Sequence, residues 1–325
     1  MATLETKTAR GLPSMYPPGV QPGGGICMNL ELAWGRLRRA LLRRLRPGYV
    51  RRMAEKRRGH CPDCRHDIID PRDLKFCRNV CGYWFRPEDD RFRWRGRLGL
   101  ARAGLAEVIL FTLLYFGLSL GLAVLGGLVH WAFWLPLPVL ALFWLEIIYF
   151  FRDPERQIST DPNVLVSPAD GTVTHVDEVE DADFPGGRAF RIGIFLSIFN
   201  VHVNRIPRTG RVVSLRYMPG AFLDARHPDC PLRNEQLWID LEDASSARLL
   251  RVKQISGAIA RRIVCWLKPG EEVKIGDRLG MIKFGSRTDL LIPAGDSFDV
   301  NVKVGDPVRG GATVLLRFRE ADRGN

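Results

Sequence analysis

From residue 105 to residue 151 the chain is apolar almost without interruption. Its only formal charges there are Glu107 and Glu146, with His130 between them. Residues 105–129 are rich in Leu, Gly and Phe, and a helix of about 20 apolar residues is enough to cross a bilayer. Residues 131–151 form a second apolar stretch, broken by Pro136 and Pro138 and rich in the aromatic residues that favour membrane interfaces. This pattern predicts a helical hairpin over 101–151 with both ends on one side of a membrane. Beyond residue 152 the rhythm changes to short runs such as 189–196 and 211–215. These runs are rich in apolar and β-branched residues and bounded by Gly or Pro, which predicts strands. A helix is expected over 257–267, with Arg261 and Arg262 near its polar side. The expected class is therefore mainly β (α+β), with a β-rich region at 152–325 behind the hairpin.

Charge gives the hairpin an orientation. Residues 36–102 are crowded with arginine, including Arg38-Arg39, Arg43-Arg44, Arg51-Arg52 and Arg57-Arg58. The positive-inside tendency puts that flank in the cytoplasm, and a hairpin returns residues 152–325 to the same side. A net charge of +12 and a pI near 9.7 suit anionic lipid headgroups. Nucleic acid is the rival partner for such basicity, and none is expected, because the arginines flank an apolar hairpin. Residues 1–25 are polar and rich in Pro and Gly, unlike a secretory signal. A disordered leader is expected at 1–35, with Met28 an alternative start.

Within the basic segment 36–100, Cys61-x2-Cys64-x12-Cys77-x3-Cys81 has the spacing of two zinc knuckles, with His60 and His66 as spare donors. Four thiolates would close a tetrahedral structural site in a stretch too short to build its own core. In a reducing compartment metal is favoured over disulfides, and unpaired structural cysteines are the alternative. Cys27, Cys230 and Cys265 show no partner pattern.

The chemistry lies in an ordered set of motifs. Phe151-Arg152-Asp153-Pro154-Glu155-Arg156 comes first, then Ser167-Pro168-Ala169-Asp170-Gly171, then Phe199-Asn200-Val201-His202-Val203-Asn204-Arg205. Gln254-Ile255-Ser256-Gly257-Ala258-Ile259-Ala260-Arg261-Arg262-Ile263-Val264 follows, and Phe284-Gly285-Ser286 closes the series. A lone Gly-Ser carries no information. In this order and spacing the motifs resemble the phosphatidylserine decarboxylase proenzymes, from about residue 106 to the end.

The resemblance implies that Ser286 attacks the carbonyl of Gly285, turning the amide into an ester. β-Elimination and hydrolysis then leave a pyruvoyl group at residue 286, the cofactor made from the chain itself. The cut would give a β chain, 1–285, and an α chain, 286–325, that stay together as a heterodimer. The pyruvoyl carbonyl would form a Schiff base with phosphatidylserine and accept the electrons released as carbon dioxide leaves. Glycine before the serine permits a strained backbone and close approach. The hydroxyl needs a base, and His202 is the candidate, with Asp170 to orient the imidazolium. Some branches of the family carry a second histidine where this chain has Arg205, so His202 does both jobs here or a water helps. Arg205 and Arg287 are candidates to bind phosphate or carboxylate, since the guanidinium fork fits both. Asn234-Glu235-Gln236 departs from the family's Asn-Glu-Arg by its glutamine.

Two segments echo one another: Gly270-Glu271-Glu272-Val273-Lys274-Ile275-Gly276-Asp277 and Asn301-Val302-Lys303-Val304-Gly305-Asp306-Pro307-Val308. The echo resembles the duplicated barrel-sandwich of lipoyl and biotinyl carrier domains, and it leaves a non-catalytic lipoyl-like module as one alternative. A decarboxylase of another serine-headgroup lipid, archaetidylserine-like, is the second.

Overall fold

The computed structural model describes residues 26–61, 67–79, 81–258, 262–283 and 285–319. Helices α1 (Ile26–Leu45) and α2 (Pro47–Lys56) come first, so residues 26–35 are helical where a leader was expected. Two arginines of α1, Arg38 and Arg39, pair with the buried Asp73, which ties the helix to the cysteine-containing segment. That segment docks on the β region through Asn79 Nδ2, which donates to the Leu267 carbonyl at 2.5 Å, and Lys268 Nζ, which donates to Cys81 at 3.0 Å.

The apolar stretch folds as the expected hairpin of α3 (Leu105–Leu128) and α4 (Pro136–Phe150). Pro136 is the first residue of α4, where its missing N–H costs nothing. Tyr115 stacks on Trp144 at 4.8 Å, and the Trp144 indole donates to Thr112 at 2.9 Å, so the two helices are zipped by aromatic and polar contacts. Most large side chains of the hairpin face outward. By length and composition alone, Arg102–Leu128 and Trp131–Phe150 can each cross a membrane. The hairpin's two ends meet: Ala101 N–H donates to the Phe151 carbonyl at 2.7 Å, and Asp153 N–H to Gly99 at 2.7 Å.

The remainder is mainly β. In chain order the strands are β1 (Val164–Val166), β2 (Gly171–Glu180), β3 (Arg188–Leu196), β4 (Val203–Arg205), β5 (Gly210–Met218), β6 (Gln236–Asp243) and β7 (Leu249–Ser256). They continue with β8 (Arg262–Cys265), β9 (Glu272–Val273), β10 (Arg278–Lys283), β11 (Ser286–Pro293), β12 (Phe298–Val300), β13 (Pro307–Val308) and β14 (Val314–Phe318). A one-turn helix, α5 (Cys230–Arg233), lies between β5 and β6. An antiparallel eight-stranded sheet runs β13-β2-β3-β11-β7-β6-β5-β9, and two three-stranded sheets run β1-β14-β12 and β4-β10-β8. The core between them is aliphatic, built from residues such as Ile194, Leu196, Ile239, Val252, Leu279 and Leu316. A second cluster joins the foot of the hairpin (Ile147, Phe150, Phe151) to the β4-β10-β8 sheet through Val203, Val264 and Met281.

The helix expected over 257–267 is corrected: residues 262–265 form β8, paired antiparallel with β10. Arg-Ile-Val-Cys is buried at every position, so neighbours on both faces stabilise the extended form. Residues 259–261 lie outside the described part.

The echoed segments fold alike. Lys274 N–H donates to the Asp277 carboxylate at 2.9 Å, and Lys303 N–H to that of Asp306 at 3.0 Å. Gly276 and Gly305 both sit at positive φ, +82° and +98°, which glycine alone adopts cheaply. Each turn brackets one residue of another strand's end. Ile206 donates to Asp277 and accepts from Gly276, both at 2.8 Å. Val173 donates to Asp306 at 2.9 Å and accepts from Gly305 at 2.8 Å.

Candidate active site

The Gly285–Ser286 bond lies where β10 hands over to β11, an inner strand held by β3 on one side and β7 on the other. Ser286 is the first residue of β11, opposite Leu196 and Ser256. Gly285 has φ +62°, a region where a side chain costs about 1–2 kcal/mol. Its carbonyl, the electrophile of the expected self-cleavage, accepts a hydrogen bond from Gly257 N–H at 3.1 Å. A Cβ at residue 257 would lie 2.6 Å from that oxygen, so only glycine lets the amide approach. Such a donor stabilises the negative charge that develops when the carbonyl is attacked. Ser286 itself is fully buried, and its Oγ has no hydrogen-bond partner among the described residues.

His202 immediately precedes β4. Its Nδ1 lies 2.9 Å from the Asn200 carbonyl, which can only accept, so Nδ1 carries the proton and Nε2 the lone pair. Nε2 is buried with no hydrogen-bond partner among the described residues. Burial pushes the imidazole pKa down to about 4, with Arg152 adding to the fall and the Asn200 hydrogen bond opposing it. The ring is thus neutral at pH 7 and packs on Phe150 at 4.3 Å between centroids. The chain at and just before β4 also touches residues on both sides of the Gly285–Ser286 bond. The His202 carbonyl accepts from Ile282 N–H at 3.4 Å, and Asn204 Nδ2 donates to Thr288 Oγ1 at 3.2 Å. Gln254 fixes that asparagine by donating to its Oδ1 at 2.7 Å.

Asp170 does something different from the orienting role expected of it. Its carboxylate takes Arg156 at 2.7 Å and Gly310 N–H at 2.8 Å, while the Asn200 carbonyl orients His202. Arg205 donates to Asp153 at 2.8 Å, Pro154 at 2.9 Å and Gly276 at 3.1 Å. These contacts brace the hairpin's exit against the first echoed turn. Arg287 is buried and paired with Asp289 at 2.6 Å. Strand alternation turns it to the face opposite Ser286. Asn234 donates to the Ser256 carbonyl at 2.7 Å, and Ser256 Oγ donates to the Glu235 carbonyl at 2.9 Å. Both contacts steady the end of β7 beside Ser286. Burial raises the Glu235 pKa, against a hydrogen bond from Tyr217. Gln236 is spent on Trp238 and the backbone and carries no ionic role.

The cysteine segment is a separate centre. Cys77 and Cys81 are buried in one small cluster with Ile68, and Cys61 packs against them. Burial and the neighbouring Cys81 push the Cys77 thiol up. Cys61 is in a disulfide, Cys64 lies outside the described residues, and among the described residues no three ligating groups converge.

Two comparisons with known proteins bear on this geometry. The phosphatidylserine decarboxylase family model matches residues 145–316, which contain the glycine–serine junction, His202 and Gly257. The phosphatidylserine decarboxylase proenzyme of Rhodopirellula baltica is 42% identical over 248 residues, covering 76% of this chain and 100% of that relative. The proenzymes of Symbiobacterium thermophilum and Desulfotalea psychrophila are each 45% identical, over 204 and 168 residues. They cover 63% and 52% of this chain and 92% and 77% of the relatives.

Proposed function

The chain belongs to the phosphatidylserine decarboxylase family, and we propose that it is a self-cleaving, membrane-attached enzyme converting phosphatidylserine to phosphatidylethanolamine and carbon dioxide. The observation that carries this reading is the state of the Gly285–Ser286 junction. A positive-φ glycine, a carbonyl already held by an amide, and a buried hydroxyl with no partner among the described residues meet at one bond.

In the first step His202 Nε2 takes the Ser286 proton as Oγ adds to the Gly285 carbonyl carbon, and Gly257 N–H holds the developing oxyanion. The C–N bond breaks, the amine takes a proton, and an ester remains. Loss of the Ser286 α-proton then expels the Gly285 carboxylate, leaving dehydroalanine at 286. Its imine tautomer takes up water and releases ammonia, which yields the pyruvoyl group. That group supplies the electron-accepting carbonyl for decarboxylation. His202, neutral before the reaction, is the group available to hold and return a proton at the substrate carbon. Arg156, Asp170 and Arg205 act as struts behind these residues.

Phe150 of the hairpin packs on His202, and at the hairpin's foot Arg152 donates to the carbonyl of the exposed Phe199 at 2.8 Å. A site at that end of the molecule meets a lipid headgroup at the bilayer surface, and the arginines of α1 and α2 suit anionic lipids on the cytoplasmic face. The twin turns support reading the β region as an internally duplicated barrel-sandwich. The four-cysteine spacing is that of an accessory zinc site, and because Cys61 is in a disulfide, such a site requires that bond to be reduced first. Metal analysis of the reduced chain should find one zinc; a metal-free reduced chain sinks that part.

Intact mass under denaturing conditions tests the main reading. The expected result is two fragments, 1–285 and 286–325, the smaller lighter by one ammonia than its serine form. The two should co-purify without denaturant, because β11 lies between β3 and β7, and β13 and β14 pair with β2 and β1. Ser286→Ala should give one uncut, inactive chain. A wild-type chain that stays whole, or a fragment beginning with plain serine, overturns the reading.

A further inference from the structure

α3 contains one charged residue, Glu107, and it is turned inward with 6% exposure on a helix whose large side chains mostly face outward. A carboxylate in such a helix is expensive and asks for a partner. Its partner is Lys283 Nζ, itself 4% exposed. Lys283 ends β10 and stands two positions before Gly285. Across the strand its Cα partner is Arg262, the first residue of β8. Arg262 donates to Glu31 of α1 at 2.8 Å, and Lys283 lies 3.8 Å from the same carboxylate. Glu31 also pairs with Lys75 of the cysteine segment.

The position of this cluster matters more than its strength. The Gly257–Gly285 hydrogen bond joins the two arms beside the scissile bond, and the Lys283–Arg262 register joins them again. Between them lie only residues 258–261 on one arm and Phe284 on the other. Two carboxylates from the N-terminal region therefore hold both arms that present the scissile carbonyl to its amide donor. Phe150 of the same hairpin packs on His202. The hairpin thus touches both the base and the strand carrying the electrophile.

We propose that Glu107 and Glu31, acting through Lys283 and Arg262, are positioning residues for self-cleavage, so that the docked membrane hairpin is a working part of the cutting machinery. The inference rests on the self-cleavage reading above. It predicts that a chain cuts itself only once its hairpin and first helix have docked.

The test follows conversion of the full-length chain to fragments in membranes or detergent after synchronous synthesis. Glu107→Gln and Lys283→Met should each slow cleavage about tenfold or more, which corresponds to about 1.4 kcal/mol in the barrier. Lys283→Arg and the swap Glu107→Lys with Lys283→Glu should restore it. The same changes placed in Ser286→Ala report melting temperature without the cut and so separate folding from positioning. Glu107→Gln and Lys283→Met chains that cut at the parental rate overturn the proposal. So does a swap that restores melting temperature but not cleavage. A parent chain that never cuts overturns both this proposal and the functional reading, whereas a cutting parent beside equally fast variants overturns this proposal alone.

Discussion

The two Lys-x-Gly-Asp turns are one device used twice, yet the motifs they brace end in opposite chemical states. The turn at 303–306 brackets Val173, just past the Ser167–Gly171 motif, and the turn at 274–277 brackets Ile206, just past the His202–Arg205 motif. Behind the first turn, Asp170 has both carboxylate oxygens engaged by Arg156 and Gly310. Behind the second, His202 has one nitrogen pinned and the other without a partner among the described residues. Ser286 Oγ is likewise without a partner among the described residues. Nearly all buried polar atoms in folded proteins are satisfied, so open ones need a reason. On the proposed self-cleavage, the satisfied carboxylate is a strut and the two open atoms are where a proton has to move.

Substitution of the two residues tests the contrast directly. His202→Ala should slow self-cleavage by about 10²–10⁴-fold, the usual worth of a positioned general base, as read on a denaturing gel over time. Asp170→Asn should act mainly on the fold. Loss of one charge from a buried pair costs about 3 kcal/mol, to be read as a shift of the urea unfolding midpoint in a Ser286→Ala background. The second change Arg156→Met should recover most of that loss, because no uncompensated guanidinium then remains. An Asp170→Asn chain that unfolds like its parent but does not cut would make Asp170 a chemical participant and dissolve the contrast.

The family and the Gly285–Ser286 junction were legible because a run of motifs in fixed order carries more than any one residue. The hairpin was legible because its apolar run holds only two carboxylates and a histidine, and of its two prolines one starts α4. The role of Gly257 was not. Its amide meets a carbonyl 28 positions away only after β7, β10 and β11 are in register, and local pattern does not encode that register. The helix expected over 257–267 failed for a related reason: a short apolar run fits either periodicity, and pairing with β10 decided for the strand. Asp170 was assigned to His202 by analogy of roles. Its actual partner, Arg156, stood in a quoted motif with nothing local to join the two. In the sequence Glu107 is one of two carboxylates in an apolar run with nothing nearby to pair with it, and only the fold brings Lys283 to it.

The smallest expected effect follows from pH and concerns the open imidazole alone. In the folded chain His202 titrates at about 4, against an ordinary value of 6.5, because burial disfavours the cation. The unfolded chain therefore binds this proton more readily than the folded one. The associated stability is complete above about pH 6.5, declines as the pH falls, and is lost once pH passes the folded value near 4. The base stays unprotonated in folded molecules through most of that window. Self-cleavage should therefore persist at pH 5 while the urea midpoint of the Ser286→Ala chain is already dropping. Adding His202→Ala to that chain should flatten the part of the pH dependence that belongs to this group. A cleavage profile with its midpoint near 6.5 would instead mean that His202 is solvated when it works. The closed packing on Phe150 would then be a resting arrangement that opens before the serine attacks.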